Sequence, residues 1–88
     1  DAEMVQRIKS LVINGLDRFS ERVTRVGVHL SDKNFGSEDK RCLLEARLAG
    51  LQPITVSDLE ATLERAVDGA VEKLTRSLDS KLKRLGRR

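Results

Sequence analysis

The stretch that decides the fold runs from residue 25 to residue 48, RVGVHLSDKNFGSEDKRCLLEARL. In its first part Val26, Val28 and Leu30 alternate with Arg25, Gly27, His29 and Ser31. A repeat of two is that of a strand with one face in a core and the other in water. In its last part Cys42, Leu44, Ala46 and Leu48 alternate with Arg41, Leu43, Glu45 and Arg47, which predicts a second strand with its polar side towards water. Between them Asp32–Lys40, DKNFGSEDK, is polar with one glycine and reads as a hairpin connection.

Upstream of the hairpin the period changes. Met4, Ile8, Leu11, Val12, Leu16 and Phe19 recur at spacings of three and four, which predicts an amphipathic helix reaching Phe19. Asp1 and Glu3 suit its positive end. Gly15 lies towards the apolar arc; inside a helix it costs up to about 1 kcal/mol of propensity, so its expected use is close approach to another element. Downstream, Ala49-Gly50-Leu51-Gln52 supplies a turn and Pro53 opens a short third strand through Ile54 and Val56. Proline at a strand's beginning suits an edge position. Ser57 or Asp58 is the expected cap of a final helix, with Glu60 and Glu64 in its first turns and Gly86 at its end. Glu72–Arg76 and Asp79–Lys83, each four apart, should support its exposed surface by about 0.3–0.5 kcal/mol per pair. The order helix, three antiparallel strands, helix predicts a two-layer α+β fold, with both helices on one face of the sheet and one domain over residues 1–88.

Size and composition agree with a small folded domain. Eighty-eight residues bury about 60–65% of their unfolded surface by size scaling. Two Phe with no Trp or Tyr make the core aliphatic. The charged fraction of 35% is high, but the signs alternate and accompany clear apolar periodicity, which argues for folding over disorder. The longest aliphatic run is Leu11–Ile13, far short of a membrane span, and no signal-peptide pattern is visible. The expectation is a cytoplasmic chain with no membrane partner. Because the chain starts at Asp1 without an initiator methionine, an upstream piece is expected to be missing, whether removed or trimmed.

The charge is polarised. From Arg65 to Arg88 the sequence reads RAVDGAVEKLTRSLDSKLKRLGRR, eight Lys/Arg against three acids, so that segment is formally +5 while residues 1–64 are formally −2. At roughly 100° per residue, Arg65, Lys73, Arg76, Lys83, Arg84 and Arg87 fall on one side of the final helix, opposite Leu63, Val67, Leu74, Leu78 and Leu85. Helices decorated only for solubility interleave their signs. Here Asp68, Glu72 and Asp79 keep a narrow arc of their own beside the cations. Several cations on one surface are what phosphate binding needs, because each neutralised phosphate releases counterions, and arginine contacts phosphate bidentately. An interfacial membrane helix would need its apolar side uncovered, whereas these leucines are required to cover the sheet.

Catalysis finds no footing. His29 is the sole histidine and stands on the polar side of the first strand, as a surface residue or an RNA-facing donor. Without a second histidine or a fixed acid the ligand count fails for zinc, and the single Cys42 excludes an internal disulfide or a Cys-based zinc site. Cys42 keeps register with Leu44 and Ala46, as core filler does. The pairs Glu60/Glu64 and Asp68/Glu72 are ordinary helix-surface spacings, and Asn34-Phe35-Gly36 lacks the context of a phosphate-cradling loop. No catalytic residue, metal, cofactor or small-molecule substrate is expected. Phe19 belongs to the core stripe and Phe35 to the loop, so base stacking is not expected to carry recognition. Phosphate, ribose and shape should.

The connected order of motifs adds a resemblance. Leu16-Asp17-Arg18-Phe19 leads to Val23-Thr24-Arg25-Val26-Gly27-Val28-His29-Leu30-Ser31, then to Lys40-Arg41-Cys42-Leu43-Leu44-Glu45-Ala46-Arg47. Ala66-Val67-x-x-Ala70-x-x-Lys73-Leu74-x-Arg76-x-Leu78 follows. Over nearly its whole length the chain resembles the hibernation-promoting factor/ribosome-associated inhibitor family. The resemblance implies a bacterial stress-response protein that binds the small ribosomal subunit and its rRNA in the mRNA/tRNA channel, silences translation and is not an enzyme. It carries Arg18 and Arg22 over to basic positions near the end of the family's first helix, and Lys73 and Arg76 to its second. Where the family usually has a glutamine and then a lysine, this chain has Ser77 and Ser80, with Lys81, Lys83 and Arg84 close by. The family fold also opens with a strand before its first helix, whereas this sequence starts at the helix, so its beginning is expected to be missing. The expected RNA contacts are therefore Arg18, Arg22 and Arg25 at one end, with Lys73, Arg76, Lys83, Arg84 and Arg87 along the last helix.

Two alternatives stand beside this reading. The double-stranded-RNA-binding domain shares the element order, but its second helix opens with lysines where this chain has Ser57-Asp58-Leu59-Glu60. A protein-interaction module would use Leu78, Leu82 and Leu85 of a projecting helix to meet an acidic partner or to form a homodimer.

Overall fold

A computed structural model describes residues 2–32 and 40–86, the side chains of residues 85 and 86 excepted. The elements in order are α1 (Ala2–Gly15), a 3₁₀ turn (Asp17–Phe19), β1 (Val23–Asp32), β2 (Lys40–Leu48), β3 (Ile54–Glu60) and α2 (Leu63–Gly86). The strands form one antiparallel sheet in the order β1-β2-β3. This is the expected α+β architecture. The central part of the hairpin connection, residues 33–39 with Phe35, lies outside the described residues. At its base Asp32 pairs with Lys40, whose ammonium lies 2.9 Å from the Asp32 carboxylate.

Alternation fixes which side chains share a face. Val26, Val28 and Leu30 stand opposite Ala46, Leu44 and Cys42, which in turn stand opposite Ile54, Val56 and Asp58. Gly50, at a φ of 75°, makes the turn from β2 to β3, a conformation that glycine adopts without a Cβ penalty. Pro53 precedes β3, and β3 is an edge strand, as its proline led one to expect. The core joins Ile8, Val12, Leu16 and Phe19 to Cys42, Leu44, Ala46 and Leu48, and to Ala66, Val67, Ala70, Leu74 and Leu78 of α2.

Two boundaries and the covering of one strand differ from expectation. The α-helix ends at Gly15 instead of reaching Phe19, because the chain tightens into a 3₁₀ turn closed by Phe19 N–H donating to the Leu16 carbonyl (2.9 Å). In that tighter winding residues three apart eclipse, and both Leu16 and Phe19 enter the core. The second difference is at β3, which continues through Glu60. Ser57, Asp58, Leu59 and Glu60 pair with Leu43, Cys42, Arg41 and Lys40, so neither Ser57 nor Asp58 caps the last helix and Glu60 is not in it. The ladder along β2 outweighs the local capping tendency of Ser and Asp. Thr62 is the cap: its hydroxyl accepts from Arg65 N–H (3.2 Å) and its carbonyl from Ala66 N–H (3.0 Å). The third concerns β1, whose apolar side is only partly covered. Val28 and Leu30, with Val5 and Ile13 of α1, stay exposed around a groove of about 570 Å³ between α1 and β1.

Gly15 does serve a close approach. A Cβ built there would collide with the Val71 Cγ1 methyl of α2.

Candidate nucleic-acid interface

After Thr62 the chain reverses, and α2 runs back along β3. Lys73 reaches Ser57 and Asp58, and further on Arg76 to Arg84 border Ile54, the first residue of β3. There Arg76, Lys81 and Arg84 surround a depression of about 400 Å³ together with Ser77 and Ser80. Three cations and two hydroxyls line the hollow with no carboxylate among them, a set suited to an anion such as phosphate. Arg76 has a neighbour in Glu72 at 3.2 Å, the expected four-residue pair. Among the described residues Lys81 and Arg84 form no ion pair.

Lys81 stands close to the family's basic positions but is not among the expected RNA contacts, and on a helical wheel it falls on the side of the leucines. Its side is open where α2 passes the start of β3, and Lys81 is half-buried there beside Ser77. Periodicity reports a residue's angle around the helix, not where the sheet beneath it ends. Of the late leucines, Leu78 is fully buried and Leu82 packs against the core, so neither projects as a free seam, and the Leu85 side chain lies outside the described residues.

The other expected contacts fall into separate places. Lys73 turns to the sheet edge, where its ammonium donates to the Ser57 carbonyl (2.9 Å) and to Asp58 (3.0 Å). That carbonyl belongs to an edge strand, and the lysine covers it. Asp58 is in turn pressed against α2 at Gly69, where any Cβ would meet its carboxylate. Lys83 lies 3.7 Å from Asp79, the second expected pair, and Arg18 approaches the same carboxylate at 4.0 Å. The Arg18 guanidinium also sits 4.6 Å from the Phe19 ring centroid, a cation–π distance. Arg22 is exposed in the turn before β1. Arg25 and His29 are exposed on the side of β1 away from the helices. Arg87 lies outside the described residues. The structure thus brings Arg76 and Arg84 together and Arg18 near Lys83, while Lys73 and Arg25 stand apart.

Cys42 is fully buried, and burial, with the nearby Asp58 carboxylate as the lesser cause, pushes its thiol up to about 11. Such a thiol is a packing group and not a nucleophile at neutral pH. Among the described residues no group of three His, Cys, Asp or Glu is placed to hold a metal, and no helix is long and apolar enough to cross a membrane.

Comparison with protein families gives a match over residues 1–85 to the family described as sigma 54 modulation protein / S30EA ribosomal protein. The chain belongs to this family. Comparison with curated proteins gives no match. The S30EA family carries ribosome association and a hibernation or modulation role, and its members are non-enzymatic factors. The match takes in α1, the whole sheet and all but the end of α2, so the basic depression lies inside the family domain.

Proposed function

We propose that this S30EA-family chain binds rRNA of the small ribosomal subunit and, by lying in the mRNA/tRNA channel, holds the cytoplasmic ribosome inactive under stress. The observation that carries the reading is the cluster of Arg76, Lys81 and Arg84 with Ser77 and Ser80 on the rim of α2. A phosphate seated there would meet charge and hydroxyl donors together. Arg18, Arg22 and Lys83 extend the positive surface on the neighbouring side of the helices, with Asp79 holding Lys83 close by. Lys73 contributes by fixing α2 to β3, so that the cations beyond it are presented from a rigid element.

Binding of this kind is electrostatic. Neutralising about five phosphates makes log affinity fall against log salt with a slope near −4. Cosedimentation with purified small ribosomal subunits over a salt series tests it. A folded protein that stays in the supernatant at low salt would sink the reading.

A further inference from the structure

The face of the sheet turned away from both helices carries its own positive charge. Its outward residues are Arg25, Gly27, His29 and Ser31 of β1, Arg41, Leu43, Glu45 and Arg47 of β2, and Thr55, Ser57 and Leu59 of β3. Three arginines face one glutamate, and no described element covers them. Arg25, Arg41 and Arg47 are exposed, as is Leu59. The register sets Arg25 directly opposite Arg47. Like charges in that relation destabilise a sheet. The Arg47–Glu45 contact of 3.9 Å is long and largely exposed, and among the described residues Arg25 and Arg41 form no ion pair. The fold therefore tolerates a repulsion from which it gains nothing.

We infer that this sheet face is a second RNA-backbone contact, separate from the one on α2. The inference rests on the ribosome-binding reading and deepens it: the domain would be a wedge with a phosphate-binding surface on each broad side. Its thinnest principal extent is 16 Å, against a length of 46 Å. Arg41 and Arg47 lie six residues apart on β2, which places two points of charge about 20 Å from each other along the strand. An acidic protein is the poorer occupant. Protein interfaces are anchored by Trp, Tyr or other large groups in desolvated pockets, and the described part of this face carries no Phe, Tyr or Trp. A single His29 ring does not make a platform for successive bases, which leaves phosphate and ribose as the recognised groups.

The buried thiol of Cys42 makes a directed test possible, because a chelate coupled to an introduced cysteine would not label it in the folded protein. Iron chelates at Thr55→Cys on the sheet face and at Glu72→Cys on α2 would generate hydroxyl radicals in complexes with small ribosomal subunits. Cutting of rRNA from both positions, at different segments, is expected. Cutting from Glu72→Cys alone overturns the inference, whether the sheet face meets a protein or solvent. Cutting from Thr55→Cys alone keeps the sheet contact and removes the helical one. A chain that binds no subunits sinks the ribosome reading itself. As a second measurement, replacing Arg25 and Arg47 together by Ser should lower the salt slope by about 2, near 1 per phosphate contact, with Tm unchanged or raised. An unchanged slope overturns the sheet contact.

Discussion

Val28 faces Leu44 across β1 and β2, and Leu30 faces Cys42, all four on the same side of the sheet. Yet Leu44 and Cys42 are completely buried, while Val28 and Leu30 keep 38% and 40% of their surface. The four side chains share an alternation and a hydrogen-bonded ladder. What differs is the helix above them. α2 lies along β2 and β3, and the small residues Ala66 and Ala70, fully buried with Val67, Leu74 and Leu78, bring it close to the sheet. α1 instead leans on α2 through Gly15 and Val71, filling the space with Ile8, Val12 and Leu16 and leaving the groove along β1. In a two-layer domain a strand's own pattern prepares a face for burial, and helix docking decides whether burial follows.

The largest expected effect comes from cutting into the covered half. Leu44→Ala removes fully buried methyl groups with a helix held over them, and should lower unfolding free energy by about 2–5 kcal/mol. Leu30→Ala removes the same atoms from the open half, where much of their surface already meets water, and should cost about 1 kcal/mol or less. Urea midpoints at a common slope compare the two. Equal losses would break the contrast, because they would mean that the apolar side of β1 is covered in solution.

This contrast also marks how far the sequence could be read. The period-two runs of residues 26–30 and 42–48 located both strands on the sheet, and the spacing from Met4 to Leu16 located the first helix, since each pattern reports a local geometry. The cap at Thr62 was hidden because Ser57 and Asp58 are better local capping candidates, and only pairing with Leu43 and Cys42 keeps them in β3. Lys73 belongs to the basic stripe by angle, but its ammonium is held by a carbonyl sixteen residues away in sequence and a carboxylate fifteen away. The depression at Arg76, Lys81 and Arg84 depends on where β3 begins beneath the helix. Local periodicity sees the elements; the site is set by how one element overhangs another.

A smaller effect sharpens the account of why α1 leans on α2. Val71 is β-branched and stiff at χ1 in a helix, so a methyl at residue 15 cannot be met by a simple rotation. Gly15→Ala gains up to about 1 kcal/mol of helix propensity and loses about 1–3 kcal/mol to overpacking, for a net loss near 1 kcal/mol. Combined with Val71→Ala, which clears the space, the penalty should largely vanish. A double-mutant cycle in chemical denaturation reads the coupling. Strict additivity would mean that the two helices do not touch at this point.

The smallest effect is silent at neutral pH and belongs wholly to the covered half. The Cys42 thiol is raised from its ordinary 9.0 to about 11, first by burial and then by Asp58. An acid whose folded pKa is raised binds its proton more tightly in the native chain, so the unfolded chain releases that proton first as pH rises. The contribution to stability is therefore complete below about pH 9 and is lost between there and pH 11. Every other group is common to both chains, so the useful quantity is the difference between wild type and Cys42→Ala. That difference should be flat from pH 6 to 8 and then change as wild type loses stability faster. Parallel curves up to pH 11 would mean that water already reaches the thiol, and that β2 is no better covered beneath α2 than β1 is beneath α1.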